Sequence, residues 1–188
     1  MEIKVGEILI DFSFQHCQIE ITGKCNMRCK HCRAWEEHNV HMPIDLFEKS
    51  INFAISEADK DFRLTISGGE PFLHPNLIQM MKYAKSEGVE DIIITTNGSL
   101  VSLEKIKQLN KLKIKNLAIQ ISVDSIYPKE HDEFRNFSGA FNLAMKTFEL
   151  TKKIGLTSSL RASITPRTID QIEGLVKLAI KKGAKRIG

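Results

Sequence analysis

Apolar residues recur along this chain with two alternating periods. Short runs rich in Ile, Val, Thr and Leu, often bounded by Gly, predict strands at Cys17 to Ile21, Arg63 to Ser67, Asp91 to Thr95, Leu117 to Val123 and Ser158 to Ile164, with a last one starting at Lys185. Between them the apolar residues fall at helical spacing. Ile44, Phe47, Ile51, Ala54, Ile55 and Ala58 form one stripe. Leu77, Met80, Met81 and Ala84 form another, ending before Gly88, and Leu103, Ile106 and Leu109 a third, opened by Ser102 as an N-cap. Phe141, Ala144, Met145 and Phe148 run to Gly155. Ile172, Leu175, Val176 and Ala179 run to Gly183, with Thr168 and Gln171 placed as a capping box.

Strands alternating regularly with helices mean βα units and a parallel sheet. The expected fold class is α/β, a partial (β/α)6 barrel of the TIM type. One domain spans 1–188, with five full βα units and the start of a sixth strand. The last strand is just beginning at Gly188, so the reading is either a fragment or a barrel left open.

Composition adds bounds rather than identity. The 188 residues are 42% hydrophobic and 27% charged, ordinary for a globular domain. No run approaches the ~20 apolar residues of a membrane helix, and the acidic start (Glu2, Glu7, Asp11) lacks the basic n-region of a signal peptide. The expected location is therefore the cytoplasm. Net charge is +4. The densest basic run, Lys105, Lys107, Lys111, Lys113 and Lys115, has no interleaved aromatic residues. It reads as a solvated face, with no nucleic acid or membrane as partner.

Three of the four cysteines crowd into eight positions, Cys25-Asn-Met-Arg-Cys29-Lys-His-Cys32, directly after the first predicted strand. Reduced, clustered thiols point to metal or redox chemistry. Three thiolates can hold three irons of a [4Fe-4S] cluster and leave the fourth iron open to another ligand. Zinc is an alternative, with His31 or His16 as fourth ligand, although zinc motifs usually come as two pairs. Chance clustering of structural thiols is another. Cys17 lies in the first predicted strand and reads as a small apolar residue.

The CxxxCxxC spacing resembles the hallmark of the radical S-adenosylmethionine (SAM) enzymes, and later motifs at strand ends strengthen the resemblance. Gly68-Gly69-Glu70-Pro71 looks like the family's GGEP segment, whose backbone and Glu receive the methionine amino group of SAM. Thr95-Thr96-Asn97-Gly98 resembles the segment lining the same pocket, with Asn97 as a candidate ligand. Ser122 and Asp124 share a strand face by alternation. They are similar to the SxD segment of the peptide-modifying branch, in which the serine binds the SAM carboxylate and the acid organises the pocket. His131-Asp132, then Arg135, then Gly139-Ala140-Phe141 continue the pattern. Asn136 stands where the family usually has Gly. The resemblance implies that Arg135 pairs with the SAM carboxylate and that His31 stacks on adenine. Arg161, charged within an apolar alternation, belongs either to the pocket or to solvent.

The resemblance implies a cluster on Cys25, Cys29 and Cys32. It also implies SAM as co-substrate and a low-potential electron donor such as flavodoxin or ferredoxin. Reductive cleavage of SAM would give a 5′-deoxyadenosyl radical that takes hydrogen from a substrate. The branch it is most similar to is the SPASM-type one of sulfatase maturases and peptide maturases, without their C-terminal extension, so the expected substrate is a peptide or protein. An open barrel side would admit such a chain. A small molecule of cofactor or nucleoside biosynthesis is the alternative substrate. A non-catalytic iron–sulfur or zinc scaffold is the alternative of another class. No residue is singled out as a general acid or radical quencher.

Overall fold

A computed structural model describes residues 2–5, 7–11, 14–32 and 39–188. A short antiparallel hairpin, β1 (Glu2–Val5) and β2 (Ile8–Asp11), precedes six strands: β3 (Phe14–Thr22), β4 (Ala58–Gly68), β5 (Asp91–Thr96), β6 (Asn116–Ser122), β7 (Thr157–Arg161) and β8 (Arg186–Ile187). These six form one parallel sheet in chain order. Among the described residues, the helices between them are α1 (Ile44–Ser56), α2 (Leu77–Ser86), α3 (Leu103–Lys111), α4 (Pro128–Arg135), α5 (Ala140–Ile154) and α6 (Ile172–Lys182).

The two sheet faces differ in chemistry. Register aligns Ile19, Ile66, Ile94 and Ile119 across four strands, with Leu64, Ile92 and Leu117 in a parallel row. These side chains are buried in one cluster with helix residues Phe47, Ile51, Met80, Ile106 and Phe148. The alternate positions are polar: Gln18 pairs with Thr65, Glu20 with Ser67, Thr95 with Gln120, and Ser122 with Arg161. Strand alternation thus gives an apolar outer face under the helices and a polar inner face. This is the partial (β/α)6 barrel of the TIM type expected from the strand–helix alternation, and the inner face is where a ligand would meet hydrogen-bonding groups.

Several elements differ from their sequence reading, each for a local reason. The first helix stops at Ser56, and Ala58 opens β4 by pairing with Phe14. Strand β7 ends at Arg161 rather than Ile164, because the Ser163 amide donates to Asp124 Oδ1 (2.9 Å) instead of continuing the ladder. The Thr168–Gln171 capping box does not form. Thr168 Oγ1 accepts from the Thr165 amide (3.0 Å), and the Gln171 side-chain oxygen accepts from Ser125 Oγ (2.7 Å) and the Ile126 amide (3.0 Å). A 3-10 turn, Ile169–Gln171, leads into α6 instead. Ser102 caps α3 as expected, accepting from the Lys105 amide at 3.2 Å. Gly155 and Gly183 close their helices in the left-handed conformation that glycine favours. Among the described residues no helix is long and apolar enough to cross a membrane.

Candidate active site at the strand ends

The loop after β3 carries the three clustered cysteines and is anchored on both sides. The Gly69 amide donates to the Thr22 carbonyl (2.6 Å), the Glu70 amide to the Lys24 carbonyl (2.8 Å), and the Lys30 amide to the Phe134 carbonyl (3.0 Å). Met27 is buried with Ala140 and Cys29 in a small apolar cluster of its own, which Phe137 borders. A β4 end and an α4–α5 corner therefore clamp one irregular loop. This is how such a loop gains a fixed shape without a regular ladder.

A cavity of about 360 Å³ opens at this end of the sheet, and Cys25, Cys29 and Cys32 all line it. His31, Gly68, Gly69, Asn97, Ser122, Arg135 and Arg161 line it too. The strand ends thus bring together the three thiols and seven of the ten residues expected for a SAM pocket.

The other three stand behind the wall. Glu70 is fully buried. Its Oε1 accepts from the Phe72 amide (3.0 Å) and Thr96 Oγ1 (2.8 Å), and its Oε2 from the Asn97 amide (2.8 Å). Burial pushes its pKa up, against those three donors. The carboxylate ties the Gly68–Pro71 corner to the end of β5 rather than facing the cavity. Pro71 is buried as the first residue of a 3-10 turn. Asp124 is also buried, because β6 ends at Ser122 and strand alternation stops there. The expectation that Ser122 and Asp124 face one pocket fails on that account.

Asp124 instead holds Arg135, whose Nε donates to Asp124 Oδ2 at 2.6 Å. The Asp124 amide donates to His131 Nδ1 (3.2 Å). Asp132 completes this corner, accepting from the amides of Gly139 (2.6 Å) and Phe141 (2.9 Å) at the start of α5. A carboxylate there satisfies orphan amides and suits the helix dipole. The His131-Asp132…Arg135…Gly139-Ala140-Phe141 pattern is thus a folding device that also presents Arg135.

His31 lies parallel to the Phe134 ring, with centroids 4.4 Å apart and planes 10° apart, and burial lowers its pKa. His16, the alternative zinc ligand, is bound to Thr65 Oγ1 at 2.8 Å. Cys17 is half-buried against the outer-face core. Burial pushes the Cys25 and Cys29 thiols up, with Arg135 opposing that at Cys29. Among the described residues no three His, Cys, Asp or Glu side chains close on a point for one metal ion. A cluster asks for a different arrangement, one thiolate per iron around a larger void. Three thiols facing a 360 Å³ cavity fit that demand.

Thr95 and Thr96, from the segment expected to line the pocket, line it as well, and sequence reasoning missed the rest of the lining: Gln18, Glu20, Ser67 and Ser163. Their signal is present in β3, where Gln18 and Glu20 alternate with Ile19 and Ile21. It also missed Asn26 and Ser99, which join Asn97 in a hydrogen-bonded group beside Cys25.

The Radical SAM superfamily model matches residues 19–179. The chain therefore belongs to the radical SAM superfamily, a family of enzymes that use a [4Fe-4S] cluster and SAM. It is 32% identical over 190 residues to a protein of Methanococcus maripaludis named "Probable GTP 3',8-cyclase", covering 98% of this chain and 60% of that protein. It is 28% identical over 172 residues to the Bacillus subtilis antilisterial bacteriocin subtilosin biosynthesis protein AlbA, covering 90% of this chain and 38% of that protein. The structure of Streptococcus suis SuiB bound to precursor peptide SuiA superposes with a TM-score of 0.79 at 20% identity, over 93% of this chain and 38% of that one. The chain spans about two fifths to three fifths of the length of these proteins.

Proposed function

We propose that Cys25, Cys29 and Cys32 hold a [4Fe-4S] cluster and that the protein uses it with SAM to modify a peptide or protein. With an electron from a flavodoxin or ferredoxin, the bound cluster and SAM would supply a 5′-deoxyadenosyl radical, which takes hydrogen from the substrate. The observation that carries the reading is the convergence of all three thiols with Arg135, Arg161 and Ser122 on one strand-end cavity.

The chain's own residues divide the remaining work. Gly68 and Gly69 bring backbone to the cavity wall, where carbonyl oxygens suit the amino group of an amino acid. Glu70 fixes that backbone from behind through its three hydrogen bonds. Arg161 and Ser122, paired in register on neighbouring strands, offer a planar cation and a hydroxyl to a carboxylate. Arg135 adds positive charge beside them, with its Nε held by Asp124. His31 presents an aromatic ring at the cavity edge for the adenine. Asp124 takes no direct part and acts as the holder of Arg135.

The peptide reading is supported by the similarity to AlbA and by the rows of amide and hydroxyl groups on the inner face, which match the amides of an extended chain. A second reading, a nucleotide or other small substrate, is favoured by the similarity to the M. maripaludis protein. Anaerobic reconstitution with iron and sulfide, followed by SAM and dithionite, tests the shared chemistry through release of 5′-deoxyadenosine. Mass spectrometry with peptides encoded beside the gene, run in parallel with GTP, separates the substrates. Conversion of GTP with every peptide untouched would overturn the peptide reading.

A further inference from the structure

Two nitrogen donors are aimed at the thiols, one from the loop after β5 and one from the end of α4. Asn97 Nδ2 lies 3.9 Å from Cys25 Sγ, and Arg135 Nη1 lies 3.9 Å from Cys29 Sγ. Both distances lie at the long end of an N–H···S contact, which is longer than one to oxygen. Neither donor is there by accident of rotamer. Asn97 Oδ1 accepts from the Ser99 amide (2.9 Å) and Ser99 Oγ (2.6 Å). Two donors on one oxygen fix the amide's orientation and send Nδ2 the other way. That Nδ2 donates to Asn26 Oδ1 (3.1 Å), and Asn26 Nδ2 donates to Ser99 Oγ (2.8 Å), closing a ring of three side chains. One amide hydrogen of Asn97 is used in the ring, and the other faces sulfur. At the end of α4, Asp124 takes Arg135 Nε, and the Ser163 amide in turn holds Asp124. The planar fork then delivers Nη1 to Cys29.

We propose that Asn97 and Arg135 are positioning residues that donate hydrogen bonds to the Cys25 and Cys29 thiolates and thereby raise the cluster's reduction potential. The inference rests on the reading that these cysteines hold the cluster. One-electron reduction adds negative charge that is shared with the thiolate sulfurs. A donor at sulfur therefore stabilises the reduced form more than the oxidised one. The arrangement also assigns Asn97 a partner other than SAM. Its side-chain amide is committed to Asn26 and Cys25, and its backbone amide to Glu70.

The test is a mediated redox titration of the reconstituted protein without SAM, followed by electron paramagnetic resonance of the reduced cluster. Asn97→Asp is isosteric, keeps the oxygen that Ser99 needs and replaces the donor at Cys25. The paired variant Asp124→Asn/Arg135→Gln removes the donor at Cys29 without leaving a lone buried charge. At the poise where the wild-type cluster is half reduced, each should show a reduced-to-oxidised ratio lower by roughly three- to tenfold. Cys17→Ala, on the outer face of the sheet and away from the cavity, should leave the ratio unchanged. Exchangeable-proton couplings in electron–nuclear double resonance should weaken in the same two variants, a readout that general loosening would not move selectively. Full iron with unchanged potential in both variants would overturn the inference while leaving the cluster assignment standing. A wild-type protein that takes up no iron would instead overturn the cluster assignment itself.

Discussion

Gly69 and Lys24 are in backbone contact so close that a Cβ on Gly69 would lie 2.2 Å from the Lys24 carbonyl oxygen. The next residue bonds the same carbonyl, since the Glu70 amide donates to it at 2.8 Å. The end of β4 is thereby pressed against the loop that presents Cys25. No side chain fits between them, and the opposing atoms are backbone, which has little room to yield. Gly69→Ala should push the cysteine loop off the sheet. The expected result is a folded protein, destabilised by about 1–3 kcal/mol from overpacking, that retains only a minor fraction of wild-type iron after reconstitution. Circular dichroism and iron analysis check the two halves separately. A variant with full iron would mean that the loop is not held by this contact.

The cysteines predict a sharp split. Cys25→Ala, Cys29→Ala and Cys32→Ala should each lose the brown colour and most of the iron, because ligand loss acts through the metal rather than through packing. Cys17→Ala should keep both. Its thiol is half-buried on the outer face, and its loss should cost about 1 kcal/mol of packing at most. Iron and sulfide content per chain, measured anaerobically, distinguishes the two groups. Loss of iron from Cys17→Ala would place a fourth thiol in the site.

Glu70 separates a wall residue from a ligand. Glu70→Ala leaves the amides of Phe72 and Asn97 and the Thr96 hydroxyl without their acceptor in a buried corner. The expected loss is about 3–5 kcal/mol of unfolding free energy. Glu70→Gln keeps one acceptor oxygen and sets an amide against the remaining donors, so about 1–3 kcal/mol should go. Urea denaturation monitored by circular dichroism gives both values. If Glu70→Gln matches wild-type stability yet no longer binds SAM in a titration, the carboxylate serves the ligand rather than the wall.

How far the fold is legible in the sequence follows from what periodicity encodes. The rows Ile19–Ile66–Ile94–Ile119 and Leu64–Ile92–Leu117 announce themselves, since an apolar strand buried on one side leaves an obvious run. The cysteines are legible for another reason: their ligand spacing is carried by a single loop. Helix α4 escapes such a reading because it buries only His131 and Arg135, so it carries no apolar stripe. The β1–β2 hairpin escapes it because its two four-residue strands are short and interrupted by charge. Glu70 and Asp124 show the deeper limit. A motif places a carboxylate at a strand end, but which way it faces depends on donors from other segments. For Glu70 these are Thr96 and Asn97; for Asp124 they are Arg135 and Ser163. Gln171 makes the same point: a cap by spacing, it is drawn away by Ser125 and Ile126, 46 and 45 residues earlier.

The corner that holds Arg135 carries its own pH signature. His131 is 1% exposed, accepts the Asp124 amide on Nδ1, and meets the edge of Phe141 with ring centroids 5.8 Å apart. Burial first, and then the charge of Arg135, lower its pKa from 6.5 to about 4, with Asp124 and Asp132 opposing. The folded chain therefore keeps His131 neutral at a pH where the unfolded chain has already taken up a proton. A group with a lowered folded pKa costs stability as pH falls from its ordinary value toward the folded one, so the loss lies between pH 6.5 and about 4. Each tenfold drop in proton affinity corresponds to about 1.4 kcal/mol, so the full loss is roughly 2–4 kcal/mol. His131→Gln retains an oxygen for the Asp124 amide and cannot titrate. Its stability should fall less steeply than wild type across that window and match the wild-type slope above pH 7. Glu70, whose pKa is raised, pulls in the opposite direction, but it is common to both proteins and drops out of the difference. Urea denaturation at half-unit steps from pH 4 to pH 8 gives the two curves. Parallel curves throughout would show that His131 reaches solvent and that the Asp124–Arg135 corner is not closed.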